Sequence, residues 1–211
     1  MDYKNLFQRS FISFIIILLY ISLYLYNPKY IIYFIFFLYL IIIIEILFFF
    51  KKLKLFFLIY IILSLIIFVN LDFNDLNFFT KFNYLILIIV SFDTFSYLFG
   101  SFFGKYKIMK KISPNKTLEG IIGGLFFSLI FTYLYSSYYD INYDLFLLFM
   151  TIILVISCFL GDIIESYFKR KNNLKNSSNF LPGHGGFLDR FDSFIFSIMI
   201  FTVTYNYILW K

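Results

Sequence analysis

Seven long apolar runs, at about 11–26, 30–50, 53–69, 82–103, 120–139, 145–165 and 193–210, leave this chain little to fold into except a bundle of membrane-spanning helices. Crossing the hydrocarbon core takes about 17–25 apolar residues in a helix. Several runs stand at the lower edge of that range, so seven spans are expected within a range of six to eight. Composition agrees: 62% of residues are hydrophobic and 14% charged, against roughly 45–50% and 25% in an ordinary soluble domain. A water-soluble fold is excluded. The first run follows Lys4 and Arg9 in the manner of a signal peptide, but without a single alanine in the chain there is no A-x-A type cleavage site, and it reads as a retained helix. One cysteine, Cys158, excludes a disulfide framework and any multi-cysteine metal site.

The net charge of +6 follows from orientation. With the N-terminus in the cytoplasm, the inner segments are 1–10, 51–54, 104–119 and 166–192. They hold fifteen of the eighteen basic residues, and only Lys29, Lys81 and Lys211 fall outside. Asp72, Asp75, Asp140 and Asp144 take the outer loops. The partition predicts an all-α integral membrane protein, N-in and C-out, and removes any reason to read the basic balance as a nucleic-acid surface.

Phe, Tyr, Ile, Asn and Lys are inflated, as in an AT-rich genome, so Gly, Pro, Arg, Asp and His are the informative residues. All nine glycines lie between Gly100 and Gly186, with two of the three prolines, Pro114 and Pro182. Residues 1–90 therefore read as scaffold helices. Residues 91–211 read as a catalytic region in which two cytoplasmic Gly-rich loops bend or approach a ligand closely.

Four constellations in that region bear chemistry. Asp93 lies about ten residues inside the fourth run, on the order of 15 Å deep by helix rise; an intramembrane carboxylate faces a polar cavity, or else it bonds a neighbouring span or Ser96. Glu45, five residues from its own inner end beside Lys51 and Lys52, reads as snorkelling or structural. Ser113, Lys116, Thr117 and Glu119 lead into the fifth helix, whose N-terminal dipole favours phosphate; the plain alternative is an N-cap followed by a Gly-rich packing face of Gly120, Gly123 and Gly124. Asp162, Glu165, Ser166 and Lys169 form one stripe of the sixth helix, mirrored by Asp189, Asp192 and Ser193 on the seventh. Two helix ends bearing carboxylates suit a hard cation such as Mg2+, and two interfacial ion-pair clusters are the alternative. Between them run Lys169-Arg170, Lys175 and Pro182-Gly183-His184-Gly185-Gly186, then Asp189-Arg190-Phe191-Asp192, with the chain's single histidine. Phosphoryl chemistry needs this combination of cations, carboxylates and exposed backbone N–H groups.

These residues resemble the phosphatidate cytidylyltransferases (CDP-diacylglycerol synthases). The resemblance is carried by Ser166, Lys169-Arg170, Lys175, Pro182, His184-Gly185-Gly186 and Asp189-Arg190-x-Asp192 within the signature segment 166–192. Upstream it adds Asp93-Thr94, Phe103-Gly104-Lys105, Ser113 to Gly120 and Gly161 to Ser166. It covers residues 93 to 193. One position departs: the family's Lys-Asp pair is Lys175-Asn176 here. The resemblance implies transfer of a cytidylyl group from CTP to phosphatidic acid at the inner face of a bacterial cytoplasmic membrane. It implies Mg2+, with room for a second cation, and a homodimer. By the same resemblance Asp162 and Asp189 are the first metal ligands and Asp192 the third. Lys169, Arg170, Arg190 and His184 act on phosphate charge or hold the loop, and Asp93, Ser113, Lys116, Thr117, Glu119, Ser166, Lys175, Gly185 and Gly186 bind substrate. A related CTP-dependent polyprenol or phytol kinase, or a cytidylyltransferase of another lipid phosphate, would share these elements. A transporter would need polar residues across the whole bilayer depth, whereas the outer halves of these helices read as almost uniformly apolar.

Overall fold

A computed structural model describes residues 15, 18–178, 180 and 185–205. A helix at 18–26 (α1) is followed by α2 (Lys29–Phe49), α3 (Lys54–Val69), α4 (Phe78–Phe103), a hairpin of β1 (Lys107–Met109) and β2 (Ser113–Thr117), α5 (Leu118–Tyr138), α6 (Leu145–Lys171) and α7 (Leu188–Thr204). Among the described residues α2, α4, α5 and α6 are long and apolar enough to cross a membrane, and α3 is a shorter apolar helix of 16 residues.

The breaks between helices have local causes. Pro28 lacks the N–H that a continuing helix would use and stands at the N-cap of α2. After α3, the Asp72 and Asp75 carboxylates accept from the N–H groups of Asn74 and Asn77, each at 3.0 Å, turning the chain into α4. Asp144 accepts from Leu147 N–H at 2.8 Å in the first turn of α6. That helix ends with Asn173 in the left-handed region (φ 56°) and Leu174 N–H bonded back to Lys169 O at 2.9 Å, a Schellman closure.

The hairpin modifies the all-α expectation. Strands of three and five residues are too short to show a periodicity, and Pro114 sits in a two-stranded sheet whose outer edge needs no donor. β1 and β2 pair antiparallel, Lys107 with Thr117 and Met109 with Ser113. The hairpin base closes on α5: Leu118 N–H donates to Tyr106 O at 2.9 Å, and Tyr106 N–H donates to the Glu119 carboxylate at 3.2 Å.

The chain divides into two compact units. The first comprises the described residues up to Leu65 with Phe168–Phe191. Its core is built on Ile35, Tyr39, Ile42, Ile46, Phe57 and Ile61. The Phe57 and Phe168 rings stack at 4.1 Å, and the Tyr39 hydroxyl, buried among apolar residues, finds Ser64 at 2.6 Å. Asn172 ties the turn after α2 to the end of α6: its Oδ1 accepts from the N–H groups of Lys51 and Lys52 at 2.8 and 2.6 Å, and its Nδ2 donates to Lys52 O and Phe168 O.

The second unit comprises Ile66–Tyr167 and the described residues from Asp192. Here α5 lies directly on α4. A Cβ at Gly120 would come within 2.6 Å of Ser96 O, one at Gly124 within 2.7 Å of the Phe92 ring, and one at Gly123 would press into the Phe99 ring. The three glycines are thus the packing face that the plain sequence reading described, small residues letting two helix backbones approach. The helix interiors are less uniformly apolar than they read. Tyr84 and Thr151 share a hydrogen bond at 2.8 Å, Thr151 and Thr132 at 3.1 Å, and Ser91 and Ser128 at 3.1 Å. These buried hydroxyls satisfy one another, so they join helices without requiring water.

Candidate functional site

Some of the residues singled out in the sequence gather in two clusters, each inside one unit. In the first unit, α7 begins at Leu188, and Asp189 in its first turn is held from four directions. Its Oδ1 accepts from Lys169 Nζ at 2.6 Å. Its Oδ2 accepts from Ser177 N–H at 2.8 Å, Ser177 Oγ at 3.0 Å and Gly186 N–H at 2.8 Å. The pair is nearly dry, with side-chain exposures of 12% for Lys169 and 9% for Asp189. Gly185 adopts φ +89°, where an L side chain would be strained, and a Cβ there would meet the Asp189 carboxylate.

Beside Asp189 lies Glu45, fully buried. It accepts from Ser178 Oγ and Phe187 N–H at 2.8 Å, Leu188 N–H at 3.0 Å and, at 3.4 Å, Ser177 Oγ. The snorkelling alternative for this residue is therefore replaced by its opposite: the carboxylate points inward, and the start of α7 folds over it.

In the second unit, Ser193 joins two carboxylates. Its hydroxyl lies 2.5 Å from Asp162 Oδ1 and 3.2 Å from Asp93 Oδ1. Lys116, the fourth residue of β2, forms an ion pair with the other oxygen of Asp162. Gly161 permits this closeness, since a Cβ there would come within 2.6 Å of Asp192 O. Asp192 Oδ1 accepts from Ser193 N–H at 3.0 Å. Asp93 thus meets a polar partner on α7, from the second unit's own helices.

The remaining residues have simpler settings. Thr117 is the N-cap of α5 and accepts from Gly120 N–H at 3.2 Å, and Glu119 fastens the hairpin. Ser113 starts β2. Ser166 is half-buried on α6. Arg170 is exposed and donates to Leu174 O at 3.3 Å. Lys175 and Arg190 are exposed, as is Asn176 at the departing position. His184 lies outside the described residues. In the segment after α6, Ser177 and Ser178 are buried at 0% and 4% exposure. Ser177 and Ser178 are the residues that the sequence reading missed, while Glu45 takes the structural alternative given for it, in a buried setting. A signal existed for Glu45: it is an acidic residue inside an apolar run, and its neighbours Lys51 and Lys52 offered an easier explanation.

Divalent-cation binding is tested by this donor chemistry. Asp162 and Asp93 offer hard oxygens around one hydroxyl, with an ammonium already drawn to Asp162, which fits a hard cation completed by waters or phosphate oxygens. Among the described residues no three His, Cys, Asp or Glu side chains come together closely enough to hold a metal by themselves. Asp162 and Asp189 belong to different units, and Asp189 already has its oxygens taken up by Lys169, Ser177 and Gly186.

Residues 3–208 match the sequence profile of the cytidylyltransferase family. The phosphatidate cytidylyltransferase of Staphylococcus haemolyticus (strain JCSC1435) is 42% identical over 121 residues, covering 57% of this chain and 46% of that one. That of Staphylococcus saprophyticus is 46% identical over 121 residues, and that of Staphylococcus aureus (strain COL) 41% over 122, with the same coverage. The chain spans about half the length of the curated relatives it matches.

Proposed function

The chain belongs to the cytidylyltransferase family, and from that premise we propose that it transfers the cytidylyl group of CTP to phosphatidic acid, forming CDP-diacylglycerol and pyrophosphate. A phosphate oxygen of the lipid bonds to the α-phosphorus of CTP as the bond from that phosphorus to the bridging oxygen breaks, and the electron pair leaves with pyrophosphate. No general base is required, since a phosphate monoester is already an anion near neutral pH. The observation that carries the reading is the meeting of Lys116, Asp162, Ser193 and Asp93: a cation from the hairpin stands with carboxylates of α4 and α6, helices rich in apolar residues.

In this reading Lys116 binds phosphate oxygens, and Arg170 and Arg190, both exposed, are assigned to phosphate charge. Lys169 acts on phosphate charge only when it leaves Asp189. Ser113, Thr117, Glu119, Ser166 and Lys175 lie on the nucleotide side of the proposal, and Gly185 and Gly186 bring backbone close to it. Mg2+ would be held by Asp162, with Asp192 and Asp189 as further candidates, and would supply Lewis-acid polarisation of the phosphoryl oxygens. For Asp189 that role requires release from Ser177 and Gly186. The membrane placement is seven spans, N-in and C-out, in the cytoplasmic membrane of a bacterium, supported by the fifteen-to-three partition of basic residues. The family resemblance supports assembly as a homodimer.

The test is incubation of purified protein with phosphatidic acid, Mg2+ and CTP labelled at either the α- or the γ-phosphate. Lipid carrying α-label is expected. Lipid carrying γ-label would make the protein a CTP-dependent lipid kinase instead, and label in neither would remove the proposal.

A further inference from the structure

Glu45 has no place in the signature that carries the family resemblance, yet four donors of the first unit converge on its carboxylate. It sits one turn from the end of α2, at 0% exposure, more than 130 residues from every group that bonds it. A carboxylate so buried is destabilising unless several donors converge on it. Four do, and each comes from the segment 177–188. Two are the N–H groups of Phe187 and Leu188, at the opening of α7, where the helix dipole favours a negative charge. The protein's own carboxylate occupies the place that a phosphate takes at other helix starts.

A separate observation points the same way. A Cβ at Gly186 would lie 2.5 and 2.6 Å from the two Glu45 oxygens and would press into Ser177 Oγ. The second glycine of the His-Gly-Gly run therefore has a steric reason, which is the closeness of the backbone to Glu45. Ser177 Oγ touches both Glu45 and Asp189, so the two carboxylates hold the segment from either side.

We infer that Glu45 is a positioning residue: a buried anion, supplied by the second helix, on which Ser177 and Ser178 from one side and Gly186, Phe187 and Leu188 from the other converge, and through which Asp189 and Lys169 are set in place. It touches no substrate. Its effect on turnover rests on the cytidylyltransferase reading, whereas its effect on the segment does not, and the experiment separates the two.

The chemistry distinguishes charge from volume. Glu45→Gln keeps the shape but sets an NH2 group against backbone or hydroxyl donors, whereas Glu45→Asp keeps the charge and shortens the reach. Each is combined with Ser178→Cys, whose thiol is buried when the segment is held, and maleimide labelling is followed in native membranes. Relative to Glu45, the Gln variant should raise the labelling rate at least tenfold and the Asp variant by less. In the unsubstituted Ser178 background, CTP turnover should fall in the order Glu, Asp, Gln. Equal labelling rates in all three backgrounds would overturn the inference, and so would a Gln variant that labels no faster than Asp, the result expected if the residue only fills space. If the Gln variant fails to insert, Glu45→Met, which keeps the volume without the charge, takes its place: labelling faster than in the Asp variant supports the inference, and labelling no faster overturns it. Loss of turnover in every form, Glu45 included, with the labelling order intact, would remove the proposed activity and leave the anchor standing.

Discussion

Asp162 and Asp189 carry the same side chain into different surroundings, and the same substitution should fail in each for a different reason. At Asp162 the partners are Lys116 and Ser193, and an amide cannot supply the anionic oxygen that Mg2+ prefers. Asp162→Asn is expected to lower cytidylyl transfer at least 100-fold and to abolish the rise in melting temperature on adding Mg2+ with CTP. At Asp189 the amide would face Lys169, Ser177 and Gly186 in a nearly dry setting. Asp189→Asn should therefore lower the melting temperature of the ligand-free protein, on the order of 3 kcal/mol for a broken buried pair. Activity within a few-fold of wild type in Asp162→Asn would reduce that carboxylate to an ion-pair partner of Lys116. Asp93, Asp162 and Asp189 were legible because an acidic residue in this chain stands against a strong compositional bias. Which of them share a hydroxyl, and that Ser177 and Ser178 are buried, was not, because serine is common and its partners come from helices far away in sequence.

Elements were the easiest features to read, since a run of apolar residues bounded by Asn, Asp, Pro or Lys has few alternatives. The run expected at 82–103 begins at Phe78 because Lys81, an apparent boundary, is folded inward at 8% exposure. Lys81 reaches Asp75 at 2.9 Å and lies 4.2 Å from the centre of the Tyr205 ring, while the Tyr205 hydroxyl donates to Asp75 at 2.6 Å. Local periodicity carries no trace of such a staple, which joins the loop before α4 to the residue after α7. Partial burial pulls the Asp75 carboxyl upward. The bonds from Tyr205, Asn77 N–H and Lys81, with the lysine's charge, outweigh it and hold the pKa at about 2. The folded value lies below the unfolded one of about 3.9, so the staple stabilises fully above pH 4 and is lost as pH falls from there through about 2. Asp75→Asn should lower the melting temperature at pH 7. The gap to wild type should narrow as the pH is taken from 5 to 2.5; a gap independent of pH would show that the Asp75 charge contributes nothing.

For the whole molecule, the distribution of charge is the property that sequence expresses most directly, because the positive-inside preference acts on loops rather than on packing. Division into units is less legible: the segment Phe168–Phe191 groups with the helices up to Leu65, through Asn172 and Glu45, and nothing in the local sequence announces partners so distant. Orientation can be tested without any assumption about chemistry. The native thiol, Cys158, is fully buried, which makes a background of single introduced cysteines clean. Lys110, in the hairpin turn, and Lys171, in the last turn of α6, are exposed, as is Asn142 between α5 and α6. In sealed cells an impermeant maleimide should label Asn142→Cys from outside and should reach Lys110→Cys and Lys171→Cys only after the membrane is opened. Ser178 is unsuitable for this purpose, since its 4% exposure would mute the label on either side. If Lys110→Cys or Lys171→Cys is labelled in sealed cells, Lys116 and the signature segment face away from cytoplasmic CTP, and the proposed transfer has no nucleotide to act on.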